Sequence, residues 1–414
     1  MTTVLIATAA FPVVIVLLTL FIVTAERKLV RKGAVKITIN GDEAKALDAS
    51  RGKSLLATLS GNGIFLASAC GGKGTCGTCR CRVERGGGDT LPIEQNFINP
   101  KMEREGWRLA CQVRVREDMA IRVPDDIFSI KKFECRVMSN ENVATFIKEF
   151  VLALPEGERL EFRPGAYVQI DVPEYEIHFG SDIDISERFR TDWKKLGLLG
   201  IRARNRAIIN RAYSMANHPA EGSIVKLNVR IATPPWDMGK KAFSDYPPGM
   251  ASSFVFKCRP GDRVTVSGPY GDFFIQDTSR EMVYIGGGAG MAPLRSHIFH
   301  LFHTMRTKRK VSFWYGARSL REVFYEKEFR TIEKKHRNFS FNIALSQPLP
   351  EENWKGFVGN IHEVLFANYL QNHSSPEEIE YYICGPPVML TAVKKLLYSL
   401  GVEEEMIRYD DFGG

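Results

Sequence analysis

Three cysteines crowd one short loop of this 414-residue chain, spaced Cys70-x5-Cys76-x2-Cys79, and a fourth, Cys111, follows well downstream. Four thiols drawn to one point fix the chain around them more tightly than any other feature here. The residues between the first two, Gly71-Gly72-Lys73-Gly74-Thr75, are small enough for the backbone to wrap a compact group and turn N–H groups toward sulfur. Three thiolates in a glycine-rich loop plus one distant thiolate is how a [2Fe–2S] cluster is held, so Cys70, Cys76, Cys79 and Cys111 are the candidate metal ligands. The plainer readings are a zinc site or buried structural thiols, although zinc sites usually show two paired C-x2-4-C knuckles and Cys111 has no near partner. Cys81 shares a strand face with Cys79 and is taken as a non-ligand, because Cys79 completes the C-x2-C. Cys135, Cys258 and Cys384 are scattered, which argues against a disulfide scaffold and for a reducing compartment.

The length allows about two to four domains, each with its own core. The net charge of +8 comes from basic residues spread among acidic ones, so there is no stripe for nucleic acid. No charged side chain precedes Glu26, and Val4 to Val23 is almost wholly apolar, about the 20 residues that cross a bilayer. Arg27, Lys28, Arg31 and Lys32 follow at once. A single-pass transmembrane anchor over residues 1–26 is expected, with the rest of the chain on the cytoplasmic side. A cleaved signal peptide is the alternative, but its basic residues would precede the apolar run.

Beyond the anchor the rhythm changes twice. A first domain is expected over 34–127, with a strand at Lys36–Asn40, a turn at Gly41-Asp42, a short helix from Ser54 to Leu59 and a strand at Met119–Val123. Short strands separated by turns such as Arg163-Pro164-Gly165 and Arg259-Pro260-Gly261-Asp262 predict an antiparallel β-barrel over 131–276. Apolar strands alternating with helical stretches predict a parallel α/β sheet over 277–414.

Four further motifs point to dinucleotides. Arg211-Ala212-Tyr213-Ser214 offers a bidentate cation for a pyrophosphate, an aromatic ring for a flavin and a hydroxyl for a flavin nitrogen. Gly249-Met250-Ala251-Ser252-Ser253 offers small residues and hydroxyls for a phosphate, Ser252 among them. Each alone reads more readily as a surface Arg, a core Tyr or a loop Ser. The run Gly286-Gly287-Gly288-Ala289-Gly290-Met291-Ala292-Pro293 follows an apolar strand and opens a helix, which suits close approach to a pyrophosphate. Cys384-Gly385-Pro386-Pro387 also follows an apolar strand, where ligands meet parallel sheets; a small buried thiol beside a turn is the alternative.

Around the cysteines, Ala69-Cys70-Gly71-Gly72, Cys76-Gly77-Thr78-Cys79 and Leu109-Ala110-Cys111-Gln112 resemble a plant-type, β-grasp ferredoxin domain, with five residues in the first gap where that pattern has four. In order and spacing, Arg211-x-Tyr213-Ser214, the Gly286–Pro293 loop and Cys384-Gly385-Pro386-Pro387 resemble the ferredoxin–NADP reductase superfamily. With the apolar N-terminus, the long charged stretch between Tyr167 and Arg211 and the ending Tyr409-Asp410-Asp411-Phe412-Gly413-Gly414, the whole chain closely resembles the family of F-subunits of sodium-translocating NADH:quinone oxidoreductases.

That resemblance implies a multidomain protein: transmembrane helix, β-grasp ferredoxin domain, antiparallel β-barrel FAD domain and α/β NADH-binding domain. It implies FAD, NADH and a [2Fe–2S] cluster, with electrons passing from NADH through FAD to the cluster, then to other membrane subunits and to quinone. The implied residues are Arg211, Tyr213, Ser214 and Ser252 for FAD, and Gly286, Gly287, Gly288, Ala289, Gly290, Cys384 and Gly385 for NADH. Phe412 would stack over the flavin where nicotinamide enters, so that Tyr213, Ser214, Cys384 and Phe412 surround the reaction. The implied setting is a bacterial inner membrane, and sodium movement belongs to the complex rather than to this chain. The alternatives are the reductase component of a multicomponent oxygenase, which normally lacks an anchor, and a non-enzymatic anchored electron carrier. The stretch from Glu174 to Asn210 is expected to dock another component of the complex; Arg318 and Arg321 could in principle hold a 2′-phosphate, so NADH over NADPH rests on the resemblance.

Overall fold

The computed structural model describes residues 11–12, 14–21, 24, 33–68, 70–239 and 242–412. Residues 11–12, 14–21 and 24 are helical, and their side chains are exposed. Among the described residues no helix is long and apolar enough to cross a membrane, and most of the expected anchor lies outside them. The chain divides into two compact units: Met1–Leu66 with Gly77–Ile127, and Ala67–Cys76 with Phe128–Gly414.

The first unit is built on a mixed sheet. Strand β1 (Ala34–Ile39) runs antiparallel to β2 (Asp42–Ser50) and buries Val35, Ile37 and Ile39 on one face, as its alternation dictates. The turn joining them is Asn40-Gly41, one residue earlier than the sequence suggested. A two-residue hairpin of this kind needs two positive φ angles, and Asn40 (55°) and Gly41 (72°) supply them. Strands β3 (Arg80–Arg85), β4 (Trp107–Leu109) and β5 (Met119–Arg122) complete the sheet in the order β2-β1-β5-β3-β4, with β5 parallel to β1. The helix Leu55–Gly61 is capped by Ser54, whose hydroxyl accepts from Ala57 N.

The second unit holds two large sheets. The antiparallel one joins β6 (Lys131–Ala144), β7 (Ile147–Ala153), β8 (Tyr167–Val172), β11 (Ile209–Ser214), β12 (Ile224–Arg230) and β15 (Arg263–Tyr270) in the order β11-β8-β15-β6-β7-β12. A bridge between Met215 and Leu227 brings its two edges together, so the sheet curls into a barrel. Two ribbons are appended, β9 (Tyr175–His178) with β10 (Arg202–Asn205) and β13 (Trp236–Asp237) with β14 (Ala242–Phe243). The charged stretch before β11 is no loose appendage: Phe179, Phe189, Trp193 and Leu198 lie in the same core as the barrel strands. Trp193 donates its indole N–H to Thr145 O at 2.7 Å. The charges of the helix Glu187–Lys195 face outward while two aromatic residues anchor it, an amphipathic pattern that overall charge conceals.

The other sheet is wholly parallel, β16 (Met282–Gly287), β17 (Val311–Ala317), β18 (Phe339–Leu345), β19 (Phe357–Val358), β20 (Glu380–Cys384) and β21 (Ile407–Asp410), in the order β19-β18-β17-β16-β20-β21. Met282 and Tyr284 enter one core while Val283 and Ile285 enter another, so both faces are covered, as parallel strands require. The strand order reverses between β16 and β20, and a crevice opens beyond the carboxyl ends of strands at such a switch point.

Candidate functional site

The switch point is where the glycine run lies. Gly286 and Gly287 end β16, and Gly286 is in register with Cys384 at the end of β20. The chain then turns through Gly288, Ala289 and Gly290 into the helix Met291–Phe299. A Cβ on Gly290 would stand 2.0 Å from Cys384 O, and one on Gly385 would meet Met389 Cε at 2.4 Å. At Gly290 the contact is with backbone, so close approach requires glycine there, whereas Met389 Cε is the end of a side chain that can turn away; the bare N–H groups at the head of the helix fit a pyrophosphate. Cys384 is fully buried, and burial, reinforced by Asp410 and Asp411, pushes its thiol well above the ordinary range. It is a neutral, compact group at this site rather than a thiolate.

The barrel contributes from β11. Ser214, buried, donates its hydroxyl to Asp410 Oδ2 at 2.7 Å, and Asp410 is in register with Cys384. Burial pushes the Asp410 carboxyl up to about 6, against the pull of the Ser214 hydrogen bond. Ser214, Asp410, Cys384 and the glycine loop thus converge, although they come from four separate stretches of chain. Asp410 was missed as a site residue because its only sequence signal is a place in the C-terminal tail. Tyr213 packs partly buried against the barrel core, and burial raises its phenol. Phe412 is 47% exposed at the end of the described chain.

Two expected flavin residues have additional work. Arg211 Nη1 donates to Cys70 O at 2.9 Å and to Asn210 O, fastening the cysteine loop to β11. A Cβ on Gly71 would lie 2.7 Å from Arg211 Nη1. Nη1 accounts for part of the guanidinium fork, and Nε and Nη2 form the edge that suits a pyrophosphate. Ser252 Oγ accepts from Ala232 N at 3.0 Å and donates to Gly249 O at 3.1 Å. Its hydroxyl shapes the start of the helix Met250–Lys257, whose leading N–H groups, more than the hydroxyl, are what an anion would meet.

The cysteines divide between the units. In the second, Cys70 N lies 3.4 Å from Cys76 Sγ, and Gly71, Gly72 and Gly74 adopt positive φ. A hydrogen bond with Cys76, aided by Thr75 and the backbone of Lys73, holds the Cys70 thiol well below its ordinary range against the effect of burial. In the first, Cys79 and Cys111 are buried on adjoining segments, since Ala110 N donates to Cys79 O at 2.9 Å. Gln112 Nε2 lies 3.3 Å from Cys111 Sγ. The segment is braced by a buried pair that sequence reasoning missed: Glu94 accepts from Arg108 Nη2 at 2.8 Å, Arg108 Nε at 3.0 Å and Leu109 N at 2.9 Å. Burial pushes the Cys81, Cys135 and Cys258 thiols up to about 12, so these stay protonated. Stabilised sulfur at Cys70 and donors aimed at sulfur at Cys70 and Cys111 fit iron–sulfur ligation. Among the described residues no three or more His, Cys, Asp or Glu side chains are gathered into a metal-holding set.

Comparison with known proteins bears on the same regions. Residues 37–116 match the 2Fe-2S iron-sulfur cluster binding domain, and residues 284–395 match the oxidoreductase NAD-binding domain. Among solved structures, the Amycolatopsis cytochrome P450 reductase GcoB is similar in fold, with a TM-score of 0.62 at 24% identity over 91% of this chain and 98% of that one. The ferredoxin reductase in carbazole 1,9a-dioxygenase gives a TM-score of 0.60 at 23% identity over 92% and 99%. The F-subunit of the Na(+)-translocating NADH-quinone reductase of Mannheimia succiniciproducens is 51% identical over 98% of both chains. The protein of the same name in Pseudomonas paraeruginosa is 51% identical over 99% of this chain and 98% of its own. Identity at that level along the whole length decides between the families that share this fold: the chain belongs to the family of F-subunits of Na(+)-translocating NADH-quinone reductases.

Proposed function

We propose that this chain is the NADH-oxidising subunit of a sodium-translocating NADH:quinone oxidoreductase. The observation that carries the reading is the convergence of the glycine loop, Cys384 and the Ser214–Asp410 pair at one crevice, in a chain with a ferredoxin-type cysteine loop. Bound in this crevice, FAD would supply the chemistry of accepting a hydride from NADH and passing single electrons toward a [2Fe–2S] cluster. The protein's own part is alignment, since hydride transfer between two rings needs position more than a general base. Arg211 and the head of the helix Met250–Lys257, shaped by Ser252, hold the FAD pyrophosphate. Tyr213 and Ser214 face the ring. Gly286 to Gly290 and Gly385 receive the NADH pyrophosphate, and Cys384 and Phe412 border the nicotinamide. Cys70, Cys76, Cys79 and Cys111 hold the cluster. The domains run 34–127 for the ferredoxin part, 131–276 for the FAD barrel and 277–414 for the NADH part. Residues 1–26 anchor the chain to a bacterial inner membrane, where it passes electrons to other subunits and so to quinone.

The test is anaerobic rapid mixing of the full-length flavin-loaded chain with NADH and with NADPH, following flavin and cluster absorbance. Flavin bleaching by NADH followed by cluster reduction is the expected order. Equal or faster reduction by NADPH would remove the cofactor assignment, and no reduction by either would leave an electron carrier. Phe412→Ala should change nicotinamide access without loss of FAD, read by the same kinetics.

A further inference from the structure

Beside β16 and its glycine loop, β17 ends at Ala317. In open parallel sheets the ribose of an adenine dinucleotide lies beyond the carboxyl end of this neighbouring strand. The residues that leave β17 are Arg318, Ser319, Leu320 and Arg321, with a 3-10 turn at Leu320–Glu322. As a sequence, two guanidinium groups, a hydroxyl and free turn N–H groups make a receptor for a 2′-phosphate.

The fold fills that receptor from within. Glu352 arrives from the loop after β18, half-buried. Its Oε1 accepts from Arg321 N at 3.2 Å and its Oε2 from Leu349 N at 3.0 Å. Leu320 N and the Ser319 side chain also bond to it. Burial opposes the charge, but these donors outweigh it and hold the carboxyl below its ordinary range. Meanwhile the Arg321 guanidinium is drawn away: Nη2 pairs with Asp192 Oδ2 at 2.8 Å and donates to Arg188 O. It lies 5.6 Å from the ring centroid of Phe189. All three partners belong to the helix Glu187–Lys195, the inserted segment anchored in the barrel core by Phe189 and Trp193. Arg318 Nη2 donates to Gln347 Oε1 at 3.1 Å.

We propose that Glu352 and Asp192 are the residues that make this chain select NADH over NADPH: Glu352 occupies the anion nest at the end of β17, and Asp192 withholds Arg321 from it. This rests on the reading of Gly286–Gly290 as the pyrophosphate loop. A 2′-phosphate carries close to two negative charges at neutral pH. It would meet a carboxylate where it needs N–H donors, and a guanidinium already neutralised. A bare 2′-hydroxyl meets neither penalty. The inserted segment thereby acquires a part in substrate choice, because it supplies the charge that holds Arg321.

The experiment uses full-length flavin-loaded chain with Glu352→Gln and with the pair Glu352→Gln/Asp192→Asn. Calorimetry measures binding of adenosine 2′,5′-bisphosphate and of adenosine 5′-monophosphate, which differ only by the 2′-phosphate. Removing one unit charge beside a phosphate in a water-exposed setting should raise affinity for the bisphosphate about tenfold, and the pair should raise it further. The ratio of kcat/KM for NADPH over NADH should rise in parallel. Bisphosphate affinity unchanged in both variants overturns the proposal, as does a ratio that shifts only because monophosphate binding falls. If neither adenosine phosphate competes with NADH in the parent chain, the reading of the glycine loop fails and the proposal falls with it.

Discussion

Gly290→Ala isolates what the close approach of two backbones contributes to hydride transfer. Gly290 has φ −61° and ψ −11°, which alanine adopts freely, so no conformational penalty enters. The added Cβ would stand 2.0 Å from Cys384 O, 2.3 Å from Cys384 C and 2.6 Å from Gly385 N. All three are backbone atoms, so no side-chain rotation relieves the clash. Nonbonded carbon contacts settle at about 3.5–4.0 Å, and the head of the helix Met291–Phe299 must part from the end of β20 by more than about 1 Å. Overpacking of this kind costs about 1–3 kcal/mol of stability. A displacement of about 1 Å at a reacting pair costs about 100-fold in rate. The expected result is therefore a modest fall in melting temperature, retained FAD, and flavin reduction by NADH slowed about 100-fold in stopped flow. Gly200→Ala, where a Cβ meets nothing within 4 Å, is the matched control. Flavin reduction in Gly290→Ala within about threefold of the parent, with FAD retained, would show that the loop adapts and that backbone proximity does not set the rate.

Other expectations follow from single features. Glu94→Gln leaves the Arg108 guanidinium buried without its counter-charge, which should cost about 3–5 kcal/mol and bring forward the thermal bleaching of cluster absorbance; an unchanged bleaching temperature would remove the bracing role. Asp410 has its carboxyl raised from 3.8 to about 6, so the folded state holds that proton more tightly than the unfolded one. The stability it contributes is full below the lower value and lost as pH rises through the upper, and Asp410→Asn should flatten melting temperature against pH over that window in flavin-free protein. Parallel profiles for the two proteins would contradict it. Trp193→Ala removes a fully buried side chain and its bond to Thr145 O, a loss of about 3–5 kcal/mol in urea unfolding; parent-like stability would mean the inserted segment is only laid on the barrel.

What the sequence made legible was local. Alternation marked β1, turn residues marked the barrel loops, and glycine runs marked the places where backbone approaches backbone. Cysteine spacing named the metal-binding region because thiol chemistry leaves few other uses for that pattern. The rest depends on distant pairing. Ser214 and Asp410 are 196 residues apart, and Arg108 and Glu94 meet only because β4 folds back beside the turn at Glu94–Asn96. The packing of the charged stretch before β11 was hidden for a different reason: its net polarity concealed the few aromatic positions that do it, Phe179, Phe189 and Trp193. Ser252 was chosen for its hydroxyl, yet that hydroxyl is spent on Ala232 N and Gly249 O. Residue type suggested the ligand contact, and only the fold shows which hydrogen bonds are already made.

The join between the barrel and the parallel sheet turns on a charge that stability alone does not explain. Arg295 is almost wholly buried, yet it reaches Glu221 at 2.7 Å, Ala216 O at 2.8 Å and Glu328 at 2.8 Å. Ser296 donates to Asn217 O at 2.8 Å, and Asn228 donates to the Tyr325 hydroxyl at 2.8 Å. Buried ion pairs of this kind are often no more stabilising than well-packed apolar side chains of equal volume. What they add is direction. An apolar seam between two sheets keeps much of its energy when it slides by a fraction of an ångström, whereas a guanidinium shared between two carboxylates and a carbonyl loses it at once. Ser214 lies on the barrel side of this seam, and Cys384 and Asp410 on the sheet side. A reaction whose rate falls steeply with misplacement needs that seam to have one setting, and the Arg295 network, on the helix that follows the glycine loop, supplies it.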